Sequence, residues 1–135
     1  MADRNLPDSK PRYNGFVPGV YPVDGYGAGG FSFAGMSHRG SILALPDGIH
    51  AWSVTSLEHL TAGALVAVLD QPPGSVELLL VGTGVFLAPL PKDIREILRR
   101  YGIRCDPMAT THAVSTYNIL LGENRKVAAA LIATA

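Results

Sequence analysis

The sequence predicts an α/β fold in which helices cover a mixed central β-sheet. Apolar runs at 64–70 and 76–84 are typical of strands buried on both faces, and a last apolar segment covers 126–135. An amphipathic helix follows the second run, so strands and helices alternate in the C-terminal half, which favours a mixed or parallel sheet. Shorter strands upstream predict a smaller antiparallel β section in the N-terminal half.

The N-terminal half is predicted to begin with an extended or disordered arm at 1–20. Prolines recur through this segment, and proline lacks the N–H group that a helix or a central strand requires. The folded part is therefore expected to be a single domain over 21–135. Alternating and apolar stretches bounded by turn residues predict its first elements, which are strands at 31–34, 42–45 and 49–54 and a turn at 37–40.

The C-terminal half predicts two helices. The first has apolar side chains at helical spacing, namely Ile94, Ile97, Leu98 and Tyr101. Pro91 suits its first turn, and Gly102 suits a left-handed residue that closes its last turn. The remaining predicted elements are a brief strand at 103–105 and a second helix, capped by Thr110 or Thr111, that runs to about Leu121.

The composition excludes several classes of protein. A chain of 135 residues with 47% hydrophobic and 16% charged side chains can form one compact core, but not separate cofactor and substrate lobes. The same apolar content argues against intrinsic disorder. Eleven basic side chains balance eleven acidic ones, so the sequence lacks the basic surplus that nucleic-acid binding needs.

Cys105 is the single cysteine, so an intrachain disulfide is impossible and a reducing compartment is expected. The first residues have neither the apolar stretch of a secretory signal nor the composition of a transit peptide. The longest apolar run, at 78–90, is shorter than the roughly 20 residues that span a bilayer. We therefore expect a cytoplasmic protein with no direct membrane insertion.

The segment Gly-Thr-Gly at 82–84, here called the glycine turn, follows a predicted strand and imitates a dinucleotide fingerprint, with Asp106 about twenty residues further on. Leu87 occupies the third glycine position, however, and two prolines delay the following helix. The glycine turn is therefore interpreted as a tight structural turn, with a small anion-binding nest of backbone amides as an intermediate possibility.

Nucleophilic and metal sites have little support. Cys105 and His112 could pair as thiolate and base only if the fold brought them together, and a lone cysteine at the end of an apolar strand is more often inert. The spacing of the histidines fits neither a zinc-binding helix nor a Cys/His cluster; these are His38, His50, His59 and His112. We expect no catalytic residue, metal or cofactor.

The second predicted helix carries a narrow polar stripe formed by Thr111, Ser115 and Asn118. Its small uncharged side chains indicate close approach of a neighbouring segment or of a ligand, and packing is the favoured interpretation. Glu123 and Arg125 flank the turn after this helix, where a surface ion pair is the ordinary expectation. Among the aromatic side chains that could serve as interface anchors, Trp52 and Phe86 are both assigned to the core.

The segments VELLLVGTGVFLAPLPKDIREILRRYGI and PMATTHAVSTYNILLGENRKVAAALIA resemble the small Mth-type domain family of unknown function. The upstream segment GYGAGGFSFAGMSHRGSILALPDGIHAW is similar to its proteobacterial members. The family includes a mitochondrial complex I assembly factor and the adipogenesis-associated Mth-domain protein. The resemblance implies a three-layer α/β fold with a mixed sheet, and it implies no established activity.

The family pattern falls on the glycine turn, on the second predicted helix and on the turn that follows this helix. These are Gly82, Thr83, Gly84, Thr110, Ala113, Thr116, Tyr117, Asn118, Glu123 and Arg125. Family members often have an acid just before the threonine and a Cys-Arg pair within the helix, whereas this chain has Ala109, Val114 and Ser115. A mechanism using that acid, thiol or guanidinium could not operate here, which weakens an enzymatic role.

The leading hypothesis is a non-catalytic interaction module, similar to an assembly factor for a respiratory or membrane protein complex. It would dock a protein partner near Gly82, Thr83, Gly84, Thr110, Thr116, Asn118, Glu123 and Arg125. Such docking predicts an exposed apolar patch of several hundred Å² near the groove formed by the glycine turn and the second predicted helix. The alternatives are a small anionic metabolite bound in the same groove, or a working surface on the N-terminal arm. A homodimer formed through an exposed sheet edge is a further possibility.

Overall fold

The described residues form a six-stranded mixed sheet and a separate three-stranded antiparallel sheet. The computed structural model describes residues 15–135, so most of the predicted arm lies outside the described residues. The large sheet has the order β1-β6-β5-β9-β7-β8. Its strands are β1 (Phe16–Pro18), β5 (Ser41–Leu45), β6 (Gly48–Trp52), β7 (Leu78–Gly82), β8 (Arg104–Met108) and β9 (Val127–Leu131). The small sheet contains β2 (Gly25–Gly27), β3 (Gly30–Phe33) and β4 (Met36–Arg39).

Strand β9 lies in the middle of the large sheet and makes it mixed. It pairs antiparallel with β5 and parallel with β7, so that Ala129 lies opposite both Ala44 and Leu80. All residues of β9 are buried, and a run of three alanines leaves room for helices to pack closely on both sides. The predicted α/β class with a mixed central sheet is confirmed.

Within the described part of the chain, three helices complete the layers: α1 (Val66–Leu69), α2 (Lys92–Arg100) and α3 (Thr110–Gly122). Two short 3-10 turns, Leu57–His59 and Ala62–Leu65, precede α1. One core cluster packs α1 and α2 against one face of the sheet, through Leu65, Val68, Ile94 and Leu98. A second cluster packs α3 and the small sheet against the other face, through Phe31, Phe33, Val114 and Tyr117. No helix in residues 15–135 is long and apolar enough to traverse a bilayer.

Helix α2 follows its predicted pattern except at Tyr101. Ile94 and Leu98 are fully buried, while Tyr101 at its end is 55% exposed. The amide of Ile103 donates to the carbonyl of Leu98, so the chain closes the last turn as expected around Gly102. This fixed end directs the chain into β8.

The segment 64–70 is a short helix rather than the buried strand that its apolar run predicts. Leu65 and Val68 are buried at helical spacing, whereas Val66 between them is half exposed. A short apolar run does not distinguish a strand from one helical turn. The C-terminal strand β9 occupies the position beside β7 in the sheet. Segment 64–70 therefore packs on the face of the sheet as a helix instead of joining it as a strand.

The predicted turn at 37–40 is also wrong, because residues 36–39 form β4. The turn lies at Ala34 and Gly35, which both have positive φ, of 51° and 75°. This two-residue hairpin sets Phe33 opposite Met36. Alanine rarely adopts this backbone conformation, so the hairpin could not be predicted from its local residues.

Candidate functional site

The glycine turn joins the end of β7 to the start of α3 through backbone and hydroxyl contacts. The amide of Thr83 donates to the carbonyl of Met108 at 2.9 Å. The amide of Gly84 donates to Thr110 Oγ1 at 3.0 Å, and the amide of Thr110 donates back to the carbonyl of Gly84 at 2.8 Å. The turn amides of Thr83 and Gly84 are therefore both engaged by acceptors within the protein.

The close approach of α3 explains the glycine at position 82. A Cβ atom there would lie 2.9 Å from Thr110 Oγ1 and 3.0 Å from Thr110 Cα, a backbone atom that cannot move aside. Gly84 has a φ of 111°, a conformation that side chains disfavour. The two glycines are thus explained by packing and backbone geometry, which agrees with the structural interpretation of this turn.

Thr110 is a buried bridge rather than the predicted helix cap. Ala109 occupies the position before the helix, and Thr110 is fully buried in its first turn. Its hydroxyl donates to the carbonyl of Ile132 at 2.8 Å while accepting from Gly84. One hydroxyl therefore ties together the glycine turn, α3 and the end of β9.

Three consecutive apolar side chains project from the loop directly after the glycine turn. Val85, Phe86 and Leu87, here called the apolar loop, are 66%, 80% and 65% exposed. Thr83 closes this loop, because its hydroxyl donates to the carbonyl of Phe86 at 2.6 Å and accepts from the amide of Ala88 at 3.2 Å. These hydrogen bonds of Thr83 therefore hold the backbone that carries the three exposed side chains.

The assignment of Phe86 to the core is wrong, whereas that of Trp52 is confirmed. Trp52 is buried and its Nε1 donates to the carbonyl of Ala64 at 2.8 Å. Phe86 lies between a strand that ends at Gly82 and a helix that begins at Lys92, so neither element carries it into a core. An apolar triplet confined to a predicted loop was the signal that could have identified this surface.

Asn118 holds an N-terminal segment onto α3. Its Oδ1 accepts from the amide of Val23 at 2.9 Å, and its Nδ2 donates to the carbonyl of Val23 at 2.8 Å. The neighbouring Tyr117 adds another contact to this segment, because its hydroxyl donates to the carbonyl of Tyr21 at 3.1 Å. This part of the polar stripe therefore packs against a neighbouring segment, as the favoured interpretation expected.

The structure divides the predicted binding residues between the two ends of α3. Gly82, Thr83, Gly84 and Thr110 meet at its first turn, and Thr116 and Asn118 lie half-buried along it. Glu123 and Arg125 are exposed beyond its last turn, about 20 Å from Thr110 at 1.5 Å per residue. A single small ligand would not reach both ends, and whether any of these residues binds a partner stays a prediction.

Cys105 and His112 do not form a catalytic pair. Cys105 packs against the core on the α2 side of the sheet, whereas His112 is exposed on α3, which covers the other side. Burial raises the pKa of the Cys105 thiol, and the nearby Arg95 guanidinium offsets this only in part. Within residues 15–135, no group of three or more His, Cys, Asp or Glu side chains could hold a metal ion.

Buried Tyr117 gives this face of α3 a specific response to alkaline pH. Burial raises the pKa of Tyr117 from 10.0 to about 12. Because the unfolded chain releases this proton first, the stabilisation is complete below about pH 10 and is lost as the pH rises through about 12. Urea unfolding at about pH 9 and pH 11.5 should show this loss in the wild type but a smaller one in Tyr117→Phe. Tyr101→Phe, which changes an exposed tyrosine, should behave like the wild type; an equal loss in Tyr117→Phe would contradict the prediction.

Residues 23–132 match the model of a protein family described as a protein of unknown function (DUF498/DUF598). An uncharacterized protein of Rhodobacter capsulatus is 41% identical over 122 residues, which cover 90% of this chain and 91% of that protein. NADH dehydrogenase (ubiquinone) 1 alpha subcomplex assembly factor 3 of Xenopus tropicalis is 30% identical over 110 residues, covering 82% of this chain. The match spans about three fifths, 60%, of the assembly factor's length.

Solved structures share the fold. A protein from Bartonella henselae, described as an outer membrane protein, is 46% identical with a TM-score of 0.83, over 87% of this chain and 98% of that one. A Bordetella pertussis protein described as a Mth938-like domain is 26% identical with a TM-score of 0.73, over 98% of this chain and 92% of that one. The predicted resemblance to Mth-type domains is confirmed.

Proposed function

Because this chain belongs to the family of unknown function DUF498/DUF598, in which fold and sequence are shared without an established activity, we propose that it is a protein-interaction module. Its docking site would be the apolar loop together with the adjacent first turn of α3. The single observation that carries this proposal is the exposure of three consecutive apolar side chains on a loop closed by Thr83.

The apolar loop has the physical properties of a docking anchor. Its three exposed side chains offer apolar surface on the order of a few hundred Å², within the range of functional patches on soluble proteins. Burying such side chains fully contributes roughly 1.5–3 kcal/mol each. The hydrogen bonds of Thr83 order the loop in the unbound protein, which reduces the entropy lost on binding.

The relatives suggest what kind of partner the module serves. Several are named as assembly factor 3 of the NADH dehydrogenase (ubiquinone) 1 alpha subcomplex. We infer that this chain assists the assembly of a respiratory or other membrane protein complex by docking one of its protein components. The proposal retains the cytoplasmic location, since a single half-buried cysteine suits a reducing compartment.

The alternative of a small anionic metabolite at the glycine turn receives less support. An anion there would need free backbone donors, but the amides of Thr83 and Gly84 donate to Met108 and Thr110. The amide of Thr110 at the start of α3 is likewise taken by the carbonyl of Gly84. We therefore base the functional proposal on the side chains of the apolar loop.

Replacing Phe86 by aspartate should strongly weaken partner docking without unfolding the protein. Central aromatic anchors commonly contribute about 2 kcal/mol or more to binding, so a loss of affinity of at least about thirtyfold is expected. The partner is first identified by placing a photo-crosslinking amino acid at position 86 and capturing the product at native abundance. Mass spectrometry then names the partner, and binding to the purified partner is measured for each variant.

Ile119→Asp provides a matched control, because Ile119 is also a large exposed apolar side chain, 62% exposed, but lies on α3 away from the apolar loop. Both variants should keep the wild-type unfolding midpoint, and only Phe86→Asp should lose the partner. Equal binding by Phe86→Asp and the wild type would refute the proposal. Crosslinking to a second copy of this chain would instead identify the loop as a homodimer interface.

A further inference from the structure

A basic cleft lies between α2 and the edge strand β8. It has a volume of about 390 Å³. One wall is helix α2 and the other is the start of β8, which is an outer strand of the large sheet. The charged and reactive side chains that line the cleft are Lys92, Arg95, Glu96, Arg99, Arg104 and Cys105.

The charge of this cleft has no evident structural purpose. Four basic side chains and one acidic side chain give it a formal charge of +3, although the whole chain has a net charge of zero. Across residues 15–135, none of the four basic groups takes part in an ion pair. Arg95 and Arg99 are four residues apart on α2, a spacing at which like charges destabilise a helix by a few tenths of a kcal/mol. A complementary anion would remove this repulsion.

The shape of the cleft favours an extended chain over an enclosed small molecule. Lys92, Arg95, Arg99 and Arg104 are all exposed, so the cleft is an open trough rather than a pocket that surrounds its ligand. The cleft runs about 10 Å along α2 from Lys92 to Arg99, a length that matches about three residues of extended peptide. Guanidinium groups bind carboxylates through paired hydrogen bonds, so acidic side chains suit this surface.

Recognition here would depend on side chains rather than on strand addition. The backbone of Arg104 donates to Glu77 and that of Met108 accepts from Thr83, so these residues face β7. The outward edge of β8 therefore includes Pro107, which has no N–H group to offer an added strand. Pro107 therefore weakens strand addition at this edge, and the guanidinium groups beside it are the stronger means of holding a peptide.

We propose that the cleft between α2 and β8 binds an acidic extended segment of the protein partner that docks on the apolar loop. The inference rests on the proposed function for the source of the segment. The two surfaces are close in the chain, since α2 begins at Lys92, five residues after Leu87. A second contact is also needed, because association costs roughly 4–15 kcal/mol, whereas three apolar side chains at roughly 1.5–3 kcal/mol each contribute only about 4.5–9 kcal/mol.

The test uses fluorescein-labelled hexaglutamate as the probe and the full chain as the receptor, with fluorescence anisotropy as the readout. Arg99→Glu should weaken binding at least about tenfold, because it reverses a charge inside the cleft. Arg100→Glu makes the same change in net charge on the next residue, which does not line the cleft, and should weaken binding less than about twofold. Bound hexaglutamate should also slow the alkylation of Cys105 by iodoacetamide several-fold.

Equal loss of binding in Arg99→Glu and Arg100→Glu would show nonspecific charge attraction and overturn the inference. Displacement of the probe by inorganic tripolyphosphate at a lower concentration than unlabelled hexaglutamate would overturn it too, since the cleft would then be a phosphate site. Absence of any hexaglutamate binding would have the same result. In each case the Phe86→Asp experiment remains independent, so failure of the cleft and failure of the docking loop are distinguishable.

Discussion

Replacing Thr110 by valine is expected to lower the free energy of unfolding by about 3 kcal/mol. Valine keeps the shape of threonine but removes the hydroxyl that links the amide of Gly84 to the carbonyl of Ile132. Both backbone groups would lose their partner at a site where Thr110 itself is fully buried. Each buried unsatisfied group costs roughly 1–3 kcal/mol, so the combined effect exceeds that of an ordinary core substitution.

Two variants isolate the role of this hydroxyl. Thr110→Ser keeps both hydrogen bonds and should cost only about 1 kcal/mol for the lost methyl group. Thr111→Val makes the valine substitution at the next residue, which is only half-buried, and should stay within about 0.5 kcal/mol of the wild type. Urea unfolding measures all three. A Thr110→Val midpoint equal to that of Thr111→Val would show that the bridge does not stabilise the fold.

Loss of the bridge should also affect the apolar loop. The Gly84 amide would lose its acceptor, so its hydrogen exchange should become faster in Thr110→Val. Thr83 would still close the loop through Phe86 and Ala88. We therefore expect partner docking to weaken less in Thr110→Val than in Phe86→Asp, which removes the anchor side chain itself.

Asn118→Ala is expected to lower the free energy of unfolding by about 2 kcal/mol. The side-chain amide of Asn118 makes one hydrogen bond to the amide of Val23 and another to its carbonyl. Alanine offers neither, and it leaves a gap where Val23, itself buried, packs against α3. The stability comes from joining two segments 95 residues apart, so removing the contact should loosen the N-terminal segment first.

Ser115→Ala is the matched control on the same helix. Ser115 is exposed and its hydroxyl donates only to the carbonyl of Thr111, one turn earlier. Because alanine is a better helix former, this variant should be as stable as the wild type or slightly more stable. If chemical denaturation gave Asn118→Ala the same free energy of unfolding as Ser115→Ala, the two hydrogen bonds between Asn118 and Val23 would not stabilise the fold.

Helix and strand patterns along the chain were sufficient to predict most of the large sheet and both long helices. Strands β5, β6, β7 and β9 coincide with apolar segments, and α2 has the spacing of an amphipathic helix. Strands β5 and β9 are buried along their whole length, and α2 buries Ile94 and Leu98 at helical spacing, so both patterns are visible in the local sequence. The segment 64–70 was assigned wrongly, because a short apolar run carries no such periodicity.

The candidate site could be predicted only in part. The glycine turn and Thr110 were identified as a unit by the family resemblance, and they meet in space. The role of Asn118 could not be foreseen, since its partner Val23 is distant in sequence and is contacted through its backbone. The exposure of Phe86 was missed because hydrophobicity alone predicts burial, without regard to whether a loop reaches the core.

The local order of apolar, polar and turn residues by itself determined the α/β class, the buried β9 strand and the amphipathic α2 helix. Only the tertiary structure decided which apolar residues remain outside the core and which basic side chains face one another across α2 and β8. The physical reason is that secondary structure follows from spacing along the chain. Exposure and charge clustering instead depend on which distant elements come together, as β8 and α2 do around Cys105.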